Sequence, residues 1–163
     1  MSIITKRGDD GQTDCLYGKR AYKSSIQIEA IGCLDELNAW IGLANKAEPR
    51  DNHAFIQRTL VQIMGELSAG IVNFEKYAKQ FQSFESEISI TRVEAMVELL
   101  EKDTSFADWA NPSSHWDVAC RICRRAERTL WKYREESNNR EVRQEVLIYI
   151  NRLSDLLWIW GRK

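Results

Sequence analysis

Apolar residues recur every three or four positions along most of this chain, the rhythm of helices that bury one face. Either Ser24 or Ser25 can cap a first helix, in which Ile28, Ile31, Leu34, Leu37, Ile41 and Ala44 mark the inner side. It runs to about Lys46 and stops before Pro49. A second helix opens near Asp51 and carries Phe55, Ile56, Leu60, Ile63, Met64, Leu67, Ile71 and Phe74. Thr91-x-x-Glu94 reads as a capping box, with Ile90 placed to staple a third helix through Leu100. Residues 103–113 read as a connection containing Phe106, Trp109 and Pro112. Ser114-x-x-Asp117 caps a fourth helix to about Glu136, and Ser137-Asn138-Asn139 turns the chain. Val142, Val146, Ile150, Leu153, Leu157 and Trp160 line the fifth. The pattern predicts an all-α fold: a five-helix, antiparallel-type bundle over residues 25–163, preceded by an irregular loop over 1–24, in a single domain spanning 1–163.

Composition narrows the functional class. The 163 residues are enough for one buried core without cross-links. With 29% charged residues and a net charge of −1, there is no global basic excess and nucleic acid is not an expected partner. Two prolines and eight glycines exclude a turn-rich all-β fold. No signal-peptide pattern and no run of ~20 apolar residues occurs, so a cytoplasmic protein that does not enter a membrane is expected. Cys15, Cys33, Cys120 and Cys123 are then expected as reduced thiols. Cys120-x-x-Cys123 has no second such pair and only two histidines in the chain to join it, and it reads as small helix residues rather than a zinc site.

Two constellations carry chemistry. The first is Thr5-Lys6-Arg7-Gly8-Asp9-Asp10-Gly11-Gln12-Thr13, with Lys23 ten residues on. Gly8 and Gly11 permit backbone geometries in which several N–H groups converge on an anion, and the threonines and lysines add donors. It is neither a Walker A loop nor an EF-hand: no GxxxxGK[ST] occurs, and Lys6 and Tyr17 fall where calcium carboxylates belong. Asp9 and Asp10 either hold Mg²⁺ through water or shape the turn.

The second constellation is Arg121, Arg124, Arg125 and Arg128, at offsets of three and four on the fourth helix. Like charges so spaced repel unless something neutralises them. Arginine throughout suits bidentate binding of phosphate or carboxylate, while a solvated basic face is the plainer reading. Asp35-Glu36-Leu37-Asn38 and Asn151-Arg152-Leu153-Ser154-Asp155 add polar patches to otherwise apolar helices, either as buried hydrogen-bond partners or as parts of one site.

TKRGDDGQT, Arg20-x-x-Lys23, IEAIG-x-LDELNAWIGLA, CRRAER and YINRLSDLLW, in that order from residue 5 to about residue 160, resemble the PduO-type ATP:corrinoid adenosyltransferases. The resemblance implies a five-helix bundle assembled as a homotrimer, with active sites between subunits. It implies transfer of the 5′-deoxyadenosyl group of ATP to cob(I)alamin, with Mg²⁺, and release of triphosphate. A reductase that supplies Co(I) and a cobalamin-dependent acceptor enzyme are implied as partners.

Matched motif by motif, the resemblance assigns ATP binding to Thr5, Lys6, Arg7, Gly8, Thr13, Asp14, Lys23, Arg124, Arg125, Glu127, Arg128 and Asn151. It places Arg124, Lys23 and Asp35 in catalysis, and Phe106 and Trp109 on the cobalamin side. No metal ligands are identified.

The chain departs from that pattern on the corrin and inter-subunit side. Cys120 stands where the family has an arginine that pairs across the subunit boundary with the aspartate matching Asp35. Arg121 is displaced from that direction by about 100° around the helix. The family's Pro-Gly-Gly turn is replaced by Phe106-Ala107-Asp108-Trp109-Ala110-Asn111-Pro112, about two residues shorter, and Gln27 and Ile31 replace a commonly basic and a commonly aromatic residue. The alternative to an active transferase is a weakened ATP- or adenosylcobalamin-binding sensor or carrier of the same fold.

Overall fold

Serine side chains set three of the described helix starts. In this computed structural model, which describes residues 4, 6–80, 89–102 and 112–163, Ser25 accepts from the Ile28 N–H and opens helix α1, Ile26–Ala47. Ser114 and Asp117 form the expected capping box of α5, His115–Glu136. The others are α2 (His53–Ala69), α3 (Phe74–Gln80), α4 (Ile90–Glu101) and α6 (Gln144–Trp160). Among the described residues five longer helices match the five expected, and the seven-residue α3 is additional.

Several boundaries are corrected. The second helix does not continue through Ile71 and Phe74: it ends at Gly70, a 3₁₀ turn follows over Ile71–Asn73, and Phe74 begins α3. Ser89, not Thr91, caps α4 by accepting from the Arg92 N–H. Glu94 is thereby released from capping and reaches Arg152 on α6. Val142 lies before α6 but is buried as expected. The start of the chain is also more regular than expected. Strands β1 (Gln12–Asp14) and β2 (Arg20–Tyr22) pair antiparallel, with Gln12 opposite Tyr22 and Asp14 opposite Arg20.

Cross-contacts give the helix directions. Cys33 meets Thr129 and Glu36 meets Arg125, so α1 and α5 are antiparallel. Cys120 and Cys123 donate to the carbonyls of Ser154 and Ile150, so α5 and α6 are antiparallel as well. Leu34, Leu37, Ile41, Ile56, Leu60, Ile63, Leu130, Ile150 and Leu157 fill the core between these helices. Ala30 and Cys33 are buried on α1 too, because small residues let α5 approach closely. All four cysteines are free thiols, as expected. Among the described residues no helix is long and apolar enough to cross a membrane.

The capping aspartate of α5 makes the fold acid-sensitive. Burial alone would raise its carboxyl, but the N–H groups of Ser113 and Ser114 and the guanidiniums of Arg121 and Arg162 outweigh it. Asp117 is therefore held below the usual carboxylate range. A carboxylate depressed in the native state stabilises above its unfolded pKa of ~3.9, and that stability is lost as pH falls through the folded value. Thermal denaturation is expected to show Tm falling more steeply below about pH 4 in the wild type than in Asp117→Asn.

Candidate active site

The glycine-rich segment folds onto its own hairpin. Gly11 takes a left-handed φ of 81°, and its carbonyl accepts from the Lys23 N–H at 2.9 Å. Lys23 Nζ donates to the Gly8 carbonyl at 2.7 Å. A Cβ on residue 8 would stand 3.0 Å from that ammonium, so the lysine packs directly against the glycine. Arg20 holds the other side, donating to the Arg7 carbonyl at 2.6 Å and pairing with Asp10 at 3.1 Å and Asp14 at 3.6 Å. Arg7 also pairs with Asp14 at 2.9 Å.

The Gln12 N–H and the Arg20 guanidinium hold the Asp10 carboxyl below its ordinary value. Asp10 thus shapes the turn, the second of the two roles open to it. Arg20 is the organiser that residue type alone did not single out. The Asp14–Arg20 strand register supplies the missing signal. The hairpin rests on the α2–α3 side: the Leu16 N–H donates to Ser68, Tyr17 bonds Gln80, and the Lys76 ammonium lies over the Tyr17 ring.

The arginines of α5 do not act as one ridge. Arg121 is bound to Asp117 one turn back, at 2.9 Å. Arg125 crosses to Glu36 on α1, and Arg128 donates to the Arg124 carbonyl. The Arg124 guanidinium alone of the four has no hydrogen bond or ion pair to any described residue. It is exposed and faces the seam between α5 and α6, close enough to Asp155 and Cys120 to act on both electrostatically. Within that seam Asn151 donates to Glu127 at 3.1 Å and accepts from Arg152 at 2.8 Å. Partial burial pushes the Asp155 carboxyl up against the pull of Arg152 and Arg124.

The expected residues therefore fall into two groups. Lys6, Arg7, Gly8, Thr13, Asp14 and Lys23 share the hairpin; Arg124, Glu127, Arg128 and Asn151 share the α5–α6 seam. Arg125 stands on the α1 side, committed to Glu36, in a pair whose side chains are 47% and 44% exposed. So exposed a pair is inexpensive to exchange for a ligand. Asp35 is exposed on α1. Thr5, Phe106 and Trp109 lie outside the described residues. A cleft of ≈ 380 Å³ between α1 and α5 is lined by Trp40, Pro112, Val118 and Arg121.

Cys120 is not simply a surface arginine lost. Its side chain is buried, its thiol donates to the Ser154 carbonyl at 3.4 Å, and burial raises its pKa despite Arg124 and Arg121. An arginine here would have to displace that contact before reaching any partner. Arg121 does not stand in for it, because its guanidinium is turned onto Asp117.

Residues 3–163 match the family model described as cobalamin adenosyltransferase. The chain belongs to that family. It is 33% identical to the corrinoid adenosyltransferase PduO of Salmonella typhimurium, over 99% of this chain and 49% of that protein. The chain thus spans about half the length of that relative. Identity to the corrinoid adenosyltransferase of Bacillus subtilis is 34%, over 99% of this chain and 86% of that one. Among solved structures, it resembles a variant PduO-type ATP:corrinoid adenosyltransferase from Lactobacillus reuteri complexed with cobalamin and ATP. That match has a TM-score of 0.82 at 27% identity, covering 99% of this chain and 92% of the other. This cobalamin adenosyltransferase family member therefore carries both groups of residues on a shared fold.

Proposed function

We propose that this chain transfers the 5′-deoxyadenosyl group of ATP to the cobalt of reduced cobalamin. The observation that carries the reading is the unengaged Arg124 guanidinium beside the Asn151–Glu127 pair, on a chain that matches an adenosyltransferase family from end to end. Co(I) of the substrate attacks C5′, the Co–C bond forms as the C5′–O bond breaks, and triphosphate leaves. The nucleophile belongs to the corrinoid, so the protein needs no nucleophile or general base of its own. Its task is to hold C5′ in line and to meet charge growing on the leaving group. Arg124 and Arg128 supply fixed positive charge from the seam; Lys23 and Lys6 supply it from the hairpin. Lys23 has only to exchange the Gly8 carbonyl for a phosphate oxygen.

Within one chain the hairpin leans on α2 and α3 while Arg124 faces α6. A homotrimer in which one copy's hairpin closes over a neighbour's seam brings the two groups to one nucleotide, and the exposed Asp35 is then available to the neighbour. Among the described residues no group of three or more His, Cys, Asp or Glu is placed to hold a metal, and Asp10 is engaged by Arg20. Mg²⁺ enters this reading with the nucleotide, held mainly by its phosphates and water, as is usual for an ion that takes only one or two carboxylates from a protein. Phe106 and Trp109 are assigned to the corrin side by resemblance. The test is a spectroscopic assay with ATP, Mg²⁺ and chemically reduced cobalamin. Formation of adenosylcobalamin is expected. Saturable ATP binding without it would leave the sensor or carrier role, and no ATP binding would defeat both.

A further inference from the structure

A chain of side chains crosses three helices and ends in the seam. Arg152 on α6 donates through Nε to Glu94 on α4 at 3.0 Å, and through Nη1 to the Asn151 side-chain oxygen at 2.8 Å. The Asn151 amide nitrogen then donates to Glu127 on α5 at 3.1 Å, one turn from Arg124. The orientation of the amide is dictated by chemistry. Arg152 has only donors, and an ionised Glu127 has only acceptors. Turning the amide over would set N–H against N–H on one side and oxygen against oxygen on the other. What Asn151 offers a ligand is therefore fixed: its second N–H and its second lone pair, each in a set direction.

Stability does not account for this arrangement. The Arg152 and Glu94 side chains are 42% and 40% exposed, and pairs so exposed contribute about 0–1 kcal/mol. The planar guanidinium serves two acceptors at fixed angles, which a lysine ammonium does not reproduce. Resting on the function proposed above, we propose that Arg152 is a positioning residue: with Glu94 as its anchor, it locks the Asn151 amide in the orientation that receives ATP.

The experiment is a double-mutant cycle on ATP affinity, measured by calorimetry on the full chain, with Tm recorded for every variant. Asn151→Ala and Arg152→Met are each expected to raise the Kd for ATP by about tenfold, roughly the loss of one directed hydrogen bond. If the two act as one unit, the double variant is no more than about twofold weaker than either single variant. Arg152→Lys, which retains a charge for Glu94, is expected to keep the wild-type Tm but not the wild-type Kd. Glu94→Gln is expected to weaken binding by a smaller factor, about two- to threefold, because the glutamine oxygen still accepts from Arg152 but without the charge that strengthens the bond. Strictly additive effects, or an unchanged Kd in Arg152→Met, would overturn the positioning role while the transferase reading stands. A wild-type chain that does not bind ATP overturns both.

Discussion

Arg124→Ala is expected to lower kcat/KM for ATP by about 10- to 100-fold with Tm almost unchanged. The size follows from one charge-assisted contact, about 1.5–3 kcal/mol, converted at 1.4 kcal/mol per tenfold. The unchanged Tm follows from the structure, since the guanidinium is exposed and bonded to no described residue. Arg121→Ala provides the contrast. Its side chain is tied to Asp117, so it should cost stability at the start of α5 and leave ATP kinetics near wild type. Steady-state kinetics and thermal denaturation of the two variants decide the matter. If Arg121→Ala damages ATP use as much as Arg124→Ala, the division of the arginines into a structural and a ligand-facing set is wrong.

Trp116→Ala should be the most destabilising single change. The indole is fully buried at the first turn of α5, packs edge-on against Trp160 at 4.7 Å, and donates from Nε1 to the Glu48 carbonyl at 2.9 Å. Removing it leaves a cavity and an unpaired carbonyl where α1, α5 and α6 meet. The expected loss is about 3–5 kcal/mol, or a Tm lower by about 6–20 °C for a chain of this length. Trp116→Phe keeps one aromatic ring but loses the other with its N–H, so a smaller loss of about 1–3 kcal/mol is expected, chiefly from the Glu48 carbonyl left unpaired. Denaturant titration checks both. Near-wild-type stability in the alanine variant would contradict the assignment of this contact as the junction of the three helices.

The helices were legible because their apolar spacing is local. Leu34, Leu37 and Ile41 announce a buried stripe whatever packs against it, and Ser25 and Ser114 announce where two helices begin. The break at Gly70 was not legible, because Ile71 and Phe74 continue the same rhythm across it. Thr91-x-x-Glu94 satisfied the capping pattern as written, yet Ser89 takes the cap and Glu94 answers to Arg152, 58 residues away along the chain. No local pattern encodes that choice.

The arginines show the same limit in the candidate site. Spacing places Arg124 and Arg125 on one broad face, but neighbours on a helix differ by about 100°. Here that angle sends Arg125 to α1 and leaves Arg124 on the α6 side. The hairpin residues were legible as a group because glycine, threonine and lysine carry their chemistry in residue type. Residue type alone gives Arg20 no role, because its importance lies in three contacts made by folding back.

The ammonium of Lys23 on the Gly8 carbonyl bears on the cost of recognition. A loop that waits unfolded for its ligand must surrender conformational freedom at the moment of binding, and affinity is reduced by that amount. Here the cation, the glycine and the turn are already assembled around a neutral oxygen. Under the proposed function, a phosphate arriving at this hairpin offers a stronger acceptor to a donor that is already aimed. The encounter becomes an exchange of partners, with little chain ordering left to accomplish.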